Sequence, residues 1–248
     1  LYDTDGNQYA DFLSGFGVFA AGRNHPVIRR ALHDALDAQL ADWTQFDCGP
    51  LPGLLTQRLL AKAPGLDRAF FCNSGTEAVE SALKFARYAT GRRRVIYCDH
   101  AFHGLTTGSL SINGSAEFRR GFDPLLPDTP IPLGDLDALA AELRKGDVAA
   151  LIIEPIQGKG VHMPPDGFLT AAAKLLHSSG ALLICETEHG FVCANAGVDR
   201  LNASEPGSVV LLPRDRRVGP PAPRPPPAGD RPRGRRGGGR HPRPGVAD

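Results

Sequence analysis

The sequence with the clearest chemical potential is FFCNSGTEAVES, where a short apolar segment runs directly into small hydroxyl residues and a helical pattern. Ser74 and Glu77 have the three-residue spacing of a capping box, which predicts that a helix begins here. The N–H groups of a helix start and the hydroxyls of Ser74 and Thr76 could hold an anion, and Gly75 would let the ligand approach the backbone. The motif alone indicates no more than an ordinary N-cap. It is not a P-loop, because no Gly-Lys-Ser/Thr follows.

A second candidate follows the apolar segment VIYC, in CDHAFHGLTTGSLS. Phe102 could stack on a flat heteroaromatic ring, with His103 and Gly104 beside it, although a single Phe is far more often part of a core. His100 and His103 could also belong to a metal site, but such a site needs a third ligand that the sequence does not supply. We therefore predict no metal site.

Two acidic residues come directly after apolar segments, Glu154 in IIEPIQGKGV and Glu186 in ALLICETEHG. A carboxylate buried at such a position needs a hydrogen-bond or charge partner. A carboxylate at a solvated strand end needs none. Each acid, taken alone, is open to either interpretation.

The elements that must position these residues alternate along the chain. Strands are predicted at 69–72, 95–98, 149–155 and 181–185, and helices at 76–90, 134–145 and 167–180. This alternation predicts an α/β fold in which a mostly parallel sheet carries helices on both faces. Ligands of such sheets bind at the carboxyl ends of the strands, and all the candidate segments fall there.

The flanking segments do not follow this alternation. Asp5-Gly6 predicts the tight turn of a small hairpin, and residues 25–43 and 51–65 predict two helices. VVLL, at residues 209–212, predicts one more strand. Because the chain begins at Leu1 within a motif, we expect an N-terminal piece to precede it.

Composition limits the classes of function. Apolar residues make up 42% of the 248 residues, and no apolar run approaches the ~18–20 residues that span a bilayer, so we expect no membrane partner. The net charge of +1 divides into +7 over residues 213–248 and −6 over residues 1–212, and the acidic body gives no sign of a nucleic-acid surface. Five Cys without a CxxC motif or metal spacing predict reduced thiols and a cytoplasmic protein.

Taken together and in this order, the motifs resemble the class III aminotransferases, fold-type I enzymes that use pyridoxal 5′-phosphate (PLP). The matching stretches cover residues 1–185 and are DxxGxxYxDFLSGxGV, NHP, NSGTEAVESALKFAR, FHG, EPIQG and PPDGFL followed by ALLIC. The resemblance implies the PLP-binding large domain over residues 46–212, preceded by an N-terminal arm and first helix over residues 1–45. It also implies a homodimer that moves an amino group from a primary amine or amino acid to PLP and then to a 2-oxo acid.

The resemblance implies cofactor-binding roles for two of these motifs. Ser74, Gly75 and Thr76 match the turn that binds the phosphate. Phe102 matches the aromatic residue that stacks on the pyridine ring, with His103 beside it. These are the two functions that the residues themselves suggest, an anion cradle and a ring platform.

The substrate side of the resemblance is less complete. Phe16 and Gly17 match a segment that lines the substrate entrance, and Glu154 matches the active-site glutamate of the EP-x-QG motif. Leu105 stands where ornithine-type members carry Arg for the substrate carboxylate, and Lys159 stands where they carry Glu. These two departures leave the amino donor open.

The segment after ALLIC departs from the family pattern Asp-Glu-x-Gln-x-Gly. Glu186 takes the position of the Asp that pairs with the pyridine nitrogen, and the longer carboxylate reaches that nitrogen only if the ring shifts. His189 stands in the place of the Gln. We expect both residues to contribute to the cofactor site.

The lysine that forms the Schiff base with PLP is the largest departure. In the family it follows the strand that matches VVLL, whereas here Pro213-Arg214-Asp215 follows. The five lysines of the chain all lie earlier: Lys62, Lys84, Lys145, Lys159 and Lys174. We therefore predict no catalytic residue of this kind, no C-terminal small domain, and an inactive chain.

Residues 213–248 contain ten Arg, ten Pro and seven Gly and predict a disordered tail, because they cannot form a core. A lost reading frame in GC-rich DNA yields this composition and would make the chain a degenerate fragment. The alternative is a non-catalytic interaction protein whose basic tail binds nucleic acid. The abrupt change at residue 213, just before the expected Lys, favours the first.

Overall fold

The computed structural model describes residues 1–19, 21–40, 49–63, 65–187, 191–194 and 209–212. Its helices are α1 (Pro26–Asp37), α2 (Pro50–Lys62), α3 (Gly75–Thr90), α4 (Thr107–Ser111), α5 (Ala116–Arg119), α6 (Leu136–Leu143) and α7 (Phe168–Ser179). Its strands are β1 (Arg68–Phe71), β2 (Arg94–Cys98), β3 (Thr129–Ile131), β4 (Val148–Ile153), β5 (Leu182–Glu186), β6 (Phe191–Ala194) and β7 (Val209–Leu212). The predicted tail, residues 213–248, lies outside the described residues.

The strands of the described residues form one sheet in the order β1-β7-β6-β5-β4-β2-β3. β3, β2, β4 and β5 pair in parallel, and so do β6 and β7, which confirms the mostly parallel sheet. β6 is antiparallel to β5, and β7 is antiparallel to β1. β1 therefore runs in the same direction as β2, β4 and β5, and the carboxyl ends of these four strands lie at one edge.

Helices cover both faces of the sheet, as the sequence predicts. Side chains point alternately to the two faces along a strand. Val95 and Tyr97 of β2 pack on the face covered by α3, whereas Ile96 and Cys98 pack on the face covered by α6 and α7. All of β4 is buried, which is typical of a central strand in a doubly covered sheet.

The sequence of α3 accounts for where the helix begins, where it ends and which face it buries. Ser74 caps the N-terminus by accepting a hydrogen bond from the N–H of Glu77 at 3.3 Å. Gly91, with φ of 67°, ends the helix in the left-handed conformation that favours glycine. Small and aliphatic side chains recur on one face and are buried against the sheet: Ala78, Val79, Ala82, Leu83 and Ala86. This stripe holds the helix start at the edge where the strands end.

The N-terminal segment is much less buried than the sheet. The predicted hairpin consists of one bridge between Tyr2 and Gln8. α1 buries none of its residues, and its apolar side chains Val27, Leu32 and Leu36 are exposed.

Three short elements lie where the sequence pattern gives no signal. α4, α5 and β3 contain 5, 4 and 3 residues, too few for a helical or strand period to be recognised. They follow β2: α4 and α5 lie between the aromatic loop and β3, and β3 is the last strand on its side of the sheet. None of the described helices is long and apolar enough to cross a membrane.

Candidate functional site

The predicted anion-binding turn is the start of α3. The first N–H groups of a helix have no partner inside it. Ser74 Oγ accepts the one from Glu77, and the carboxylate of Glu77 reaches back to the N–H of Asn73 at 2.7 Å. In the described part of the chain, the N–H groups of Gly75 and Thr76 remain open to a ligand. The positive end of the helix dipole favours an anion there.

The aromatic loop, residues 102–105, follows β2 and lies directly against this turn. Gly104 has φ of 109°, and a Cβ at this position would lie 2.5 Å from Thr76 Cβ. Only glycine combines this backbone conformation with so close an approach. Phe102 is half-buried, and its ring meets the ring of Phe118 edge-on with 5.2 Å between centroids. The two predicted cofactor-binding segments are therefore in contact.

Glu154, just after β4, fixes the backbone of the aromatic loop. Its Oε2 accepts a hydrogen bond from the N–H of Phe102 at 3.0 Å, and its Oε1 accepts one from the N–H of Gly158 at 3.1 Å. Glu154 is only 3% exposed, so its carboxylate is not a solvated strand end. Burial raises the pKa of Glu154, although nearby His103 and the Phe102 N–H act in the opposite direction.

His103 and Glu186 form a buried pair. His103 Nδ1 is hydrogen-bonded to Glu186 Oε2, and the His103 side chain is fully buried. Burial alone would lower the pKa of His103, but the charge and hydrogen bond of Glu186, together with the charge of Glu154, raise it overall. His103 is thus the partner that a buried Glu186 requires. Within the described residues its other ring nitrogen, Nε2, has no hydrogen-bond partner.

Glu80 and the hydroxyl groups around it are part of the site that sequence reasoning missed. Glu80 lies one helical turn after Thr76, and its Oε1 accepts hydrogen bonds from Thr106 Oγ1 at 2.6 Å and from the N–H of Gly108 at 2.7 Å. Thr76 Oγ1 lies 2.9 Å from Thr106 Oγ1 and 2.7 Å from Ser109 Oγ. The i,i+4 spacing of Thr76 and Glu80 indicates a shared helix face, but nothing local indicates what that face meets.

Lys159 lies near the aromatic loop, because its side chain contacts a residue that packs on Phe102. Its Nζ lies 4.4 Å from the centroid of the Phe118 ring, which meets Phe102. The same Nζ lies 3.0 Å from Glu117 Oε2. Lys159 is therefore held by a surface carboxylate at the rim of this aromatic pair.

The remaining predicted site residues have other outcomes. Phe16 is 73% exposed, and its role with Gly17 at a substrate entrance stays a prediction. His189 lies outside the described residues. The ring of His100 stacks on that of His162, with 5.1 Å between centroids. Among the described residues there is no group of three His, Cys, Asp or Glu that could hold a metal ion.

The edge of the sheet therefore gathers an anion-binding helix start, an aromatic ring and two buried strand-end carboxylates. Gly104 brings the first two together, Glu154 holds the second in place, and His103 connects the loop to Glu186. This arrangement can bind a ligand that combines a phosphate with a flat ring.

Solved structures of two aminotransferases resemble this chain. The ornithine aminotransferase of Toxoplasma gondii ME49 is 32% identical, with a TM-score of 0.68, over 75% of this chain and 46% of that chain. The same values hold for the Toxoplasma gondii enzyme crystallised with oxidized glutathione, described as having partial occupancy of PLP at its active site. The β-phenylalanine aminotransferase of Variovorax paradoxus is 29% identical, with a TM-score of 0.64, over 75% of this chain and 42% of that chain. The chain thus spans less than half the length of these enzymes.

A family model matched to the sequence also indicates an aminotransferase. The model described as aminotransferase class-III matches residues 1–194, slightly beyond the stretch that carries the motif resemblance. This match covers most of the chain and includes β1 to β5 with all the strand ends of the site. The chain belongs to the class III aminotransferase family.

Proposed function

We propose that this chain forms the cofactor-binding part of a PLP-dependent aminotransferase that moves an amino group from a primary amine or amino acid to a 2-oxo acid. The observation that carries the proposal is the packing of Gly104 on Thr76. It sets an anion-binding helix start beside an aromatic loop. A phosphate joined to a flat heteroaromatic ring is the ligand that such a pair of groups suits.

PLP is the cofactor of this family, and the residues present fit it. The N–H groups of Gly75 and Thr76 would hold the phosphate, and the face of Phe102 would meet the ring. Glu186 would pair with the pyridine nitrogen while its carboxylate is also hydrogen-bonded to His103. When bound, PLP supplies the electron sink that amino-group transfer needs.

The residues of the chain itself keep these groups in place. Glu154 fixes the backbone at Phe102 through one hydrogen bond and the segment after β4 through another. His103 is hydrogen-bonded through Nδ1 to Glu186, and the charges of Glu186 and Glu154 raise the pKa of His103. The orientation of the ring platform and of the nitrogen partner is thus set by one connected network.

We also propose that the 248-residue chain does not complete transamination by itself. The family's Schiff-base lysine is expected just after β7, and residues 213–248 contain no lysine. Lys62 at the end of α2, Lys84 on α3 and Lys174 on α7 are exposed. Lys145 binds Glu142, and Lys159 binds Glu117. Among the described residues, Lys84, Lys145, Lys159 and Lys174 have no hydrogen bond or ion pair with the anion-binding turn.

The same proposal includes a homodimer, a cytoplasmic location, a division of the chain at residues 45 and 212, and the role of Phe16 and Gly17 at the substrate entrance. They rest on family membership. The amino donor stays open, because Leu105 and Lys159 depart from the ornithine-type pattern. Assaying a catalytically complete relative of this chain with a panel of diamines and amino acids would narrow the range of possible amino donors.

The binding half of the proposal is tested on the full 248-residue chain by equilibrium dialysis against PLP and against pyridoxal, which lacks the phosphate. We expect PLP to bind at least about tenfold more tightly, because only PLP can use the start of α3. Phe102→Ala should weaken PLP binding. Phe122→Ala is the matched control, because Phe122 is an exposed Phe outside the site. Equal binding of PLP and pyridoxal would overturn the proposed cofactor site.

The inactivity half is tested by borohydride reduction in the presence of PLP, followed by peptide mass spectrometry and an assay for amination of 2-oxo acids. We expect no lysine to be modified stoichiometrically and no amination. Stoichiometric labelling of one lysine, accompanied by turnover, would contradict this half and leave the binding result standing.

A further inference from the structure

Glu80 joins α3 to the segment that follows the aromatic loop. Its Oε1 accepts three hydrogen bonds from that segment: from Thr106 Oγ1 at 2.6 Å, from the N–H of Gly108 at 2.7 Å and from the N–H of Ser109 at 3.2 Å. In the part of the chain that the structure describes, Glu80 has no cationic partner, so these donors alone compensate its charge. One side chain therefore ties the start of α4 to the helix that carries the anion-binding turn.

The hydroxyl of Thr76 is drawn into the same arrangement. Thr106 has a single hydroxyl proton, and it donates that proton to Glu80. Ser109 Oγ likewise donates its proton to the carbonyl of Thr106 at 3.1 Å. The proton of Thr76 therefore goes to one of two oxygens, Thr106 Oγ1 at 2.9 Å or Ser109 Oγ at 2.7 Å. With its proton used in this way, Thr76 Oγ1 also accepts a hydrogen bond from the N–H of Thr106 at 3.3 Å. The carboxylate of Glu80 thus orients a side chain of the anion-binding turn.

The fit between the two segments is close at both glycines. A Cβ at Gly108 would lie 2.8 Å from Glu80 Cδ, and a Cβ at Gly104 would lie 2.5 Å from Thr76 Cβ. On the other side of the loop, Asn113 accepts from the N–H of His103 at 2.6 Å and donates to the carbonyl of Gly104 at 2.8 Å. The aromatic loop is therefore held by Asn113 on one side and by Thr76 of α3 on the other, and Glu80 holds the segment that follows the loop against α3.

We propose that Glu80 is a positioning residue of the cofactor site. It fixes the aromatic loop and α4 against α3 and engages the Thr76 hydroxyl. The N–H groups of Gly75 and Thr76, rather than that hydroxyl, are left to receive the phosphate. This inference rests on the proposed function for its cofactor, but the fixing of the loop can be measured without any ligand.

The variants Glu80→Met and Glu80→Gln separate the hydrogen bonds from the packing. Met keeps the length of the side chain and removes the acceptor. Gln keeps an acceptor oxygen at the position of Oε1 and should restore the behaviour of the unmodified chain. Asp137→Asn on α6 is the control, because Asp137 is an exposed carboxylate distant from the site. Thr106→Val, which removes one of the three donors, replaces Glu80→Met if that variant does not fold.

The first measurement is hydrogen exchange of the full chain without ligand. Glu80→Met should raise exchange in the peptide covering residues 102–112 by about tenfold, because the N–H groups of Gly108 and Ser109 lose their acceptor. Glu80→Gln and Asp137→Asn should stay close to the unmodified chain. Unchanged exchange in Glu80→Met would overturn the proposal.

The second measurement is the ratio of the PLP and pyridoxal dissociation constants. Glu80→Met should lower the preference for PLP about tenfold, and Glu80→Gln should restore it. General destabilisation would weaken the binding of PLP and of pyridoxal to the same extent. An unchanged ratio of the two dissociation constants, together with faster hydrogen exchange, would therefore overturn the positioning role. If the unmodified chain shows no preference for PLP, the proposed function fails, and the exchange result still decides whether Glu80 fixes the loop.

Discussion

His103 Nδ1 is hydrogen-bonded to the carboxylate of Glu186 across 83 residues of sequence. The pair connects the aromatic loop after β2 to the end of β5, with His103 fully buried and the Glu186 side chain 9% exposed. The carboxylate that we expect to pair with the pyridine nitrogen therefore already has a partner in the protein. A ligand that uses Glu186 has to share it with His103.

This pair predicts that stability falls as the pH rises above 6.5. Glu186 and Glu154 raise the pKa of His103 above its ordinary 6.5, so the folded chain holds this proton more tightly than the unfolded chain. The contribution is complete below pH 6.5 and is lost as the pH rises through the folded-state pKa. We expect the free energy of unfolding, from urea titrations, to fall by up to about 1.4 kcal/mol per pH unit in that window.

His103→Gln should remove this pH dependence. His33→Gln, on the exposed surface of α1, should retain it. If the slope persists unchanged in His103→Gln, another group causes it and the assignment to His103 is wrong.

Gly104 and Gly146 allow close packing to be separated from backbone strain. Both have positive φ, 109° and 78°, but only at Gly104 would a Cβ meet other atoms. Gly146→Ala should lower the free energy of unfolding by about 1 kcal/mol through backbone strain alone. Gly104→Ala should cost a further ~1–3 kcal/mol, because Thr76 has to move. Equal losses in chemical denaturation would argue against close packing of the loop on α3.

Glu154→Gln tests the anchor of the aromatic loop. The carboxylate accepts hydrogen bonds from two N–H groups, whereas an amide presents one oxygen and one NH2 group to them. We expect a loss of about 1–2 kcal/mol in unfolding free energy. Glu117→Gln, at an exposed ion pair, should change stability by less than about 1 kcal/mol. A Glu154→Gln variant as stable as the Glu117→Gln control would count against the anchor.

Cys98 should be unreactive in the folded chain. Burial raises its pKa to about 12, with Asp99 and Glu154 adding to the effect, and the thiolate is the reactive form. With iodoacetamide at mildly alkaline pH, we expect half-buried Cys72 to be alkylated while Cys98 is protected until denaturant is added. Alkylation of both at the same rate in the native protein would contradict the placement of Cys98 at the end of β2.

The sequence predicts the sheet well because its signals there are local. β4 is an unbroken apolar run, and α3 has a capping residue, a buried stripe and a terminal glycine. The rule that parallel strands end at one edge is enough to bring Phe102, Glu154 and Glu186 together. No local pattern is needed to relate these three residues to one another.

The partners of these side chains could not be predicted in the same way. The sequence motif leads us to expect Glu186 to contact the cofactor, whereas the structure pairs it with His103, on a loop of irregular course. Glu80 is paired through α4, an element of five residues. Which acid meets which donor depends on the path of the chain from residue 99 to residue 115, and tertiary contacts such as those of Asn113 determine that path.

The exposure of α1 has a consequence for cooperativity. Because α1 buries none of its residues, its opening forfeits little of the hydrophobic free energy that holds the sheet together. Amide protons of α1 should exchange through local opening, while those of β4 should exchange only when the whole sheet unfolds. We therefore expect two different free energies of opening, a small one for the first helix and a larger one for the sheet that carries the site.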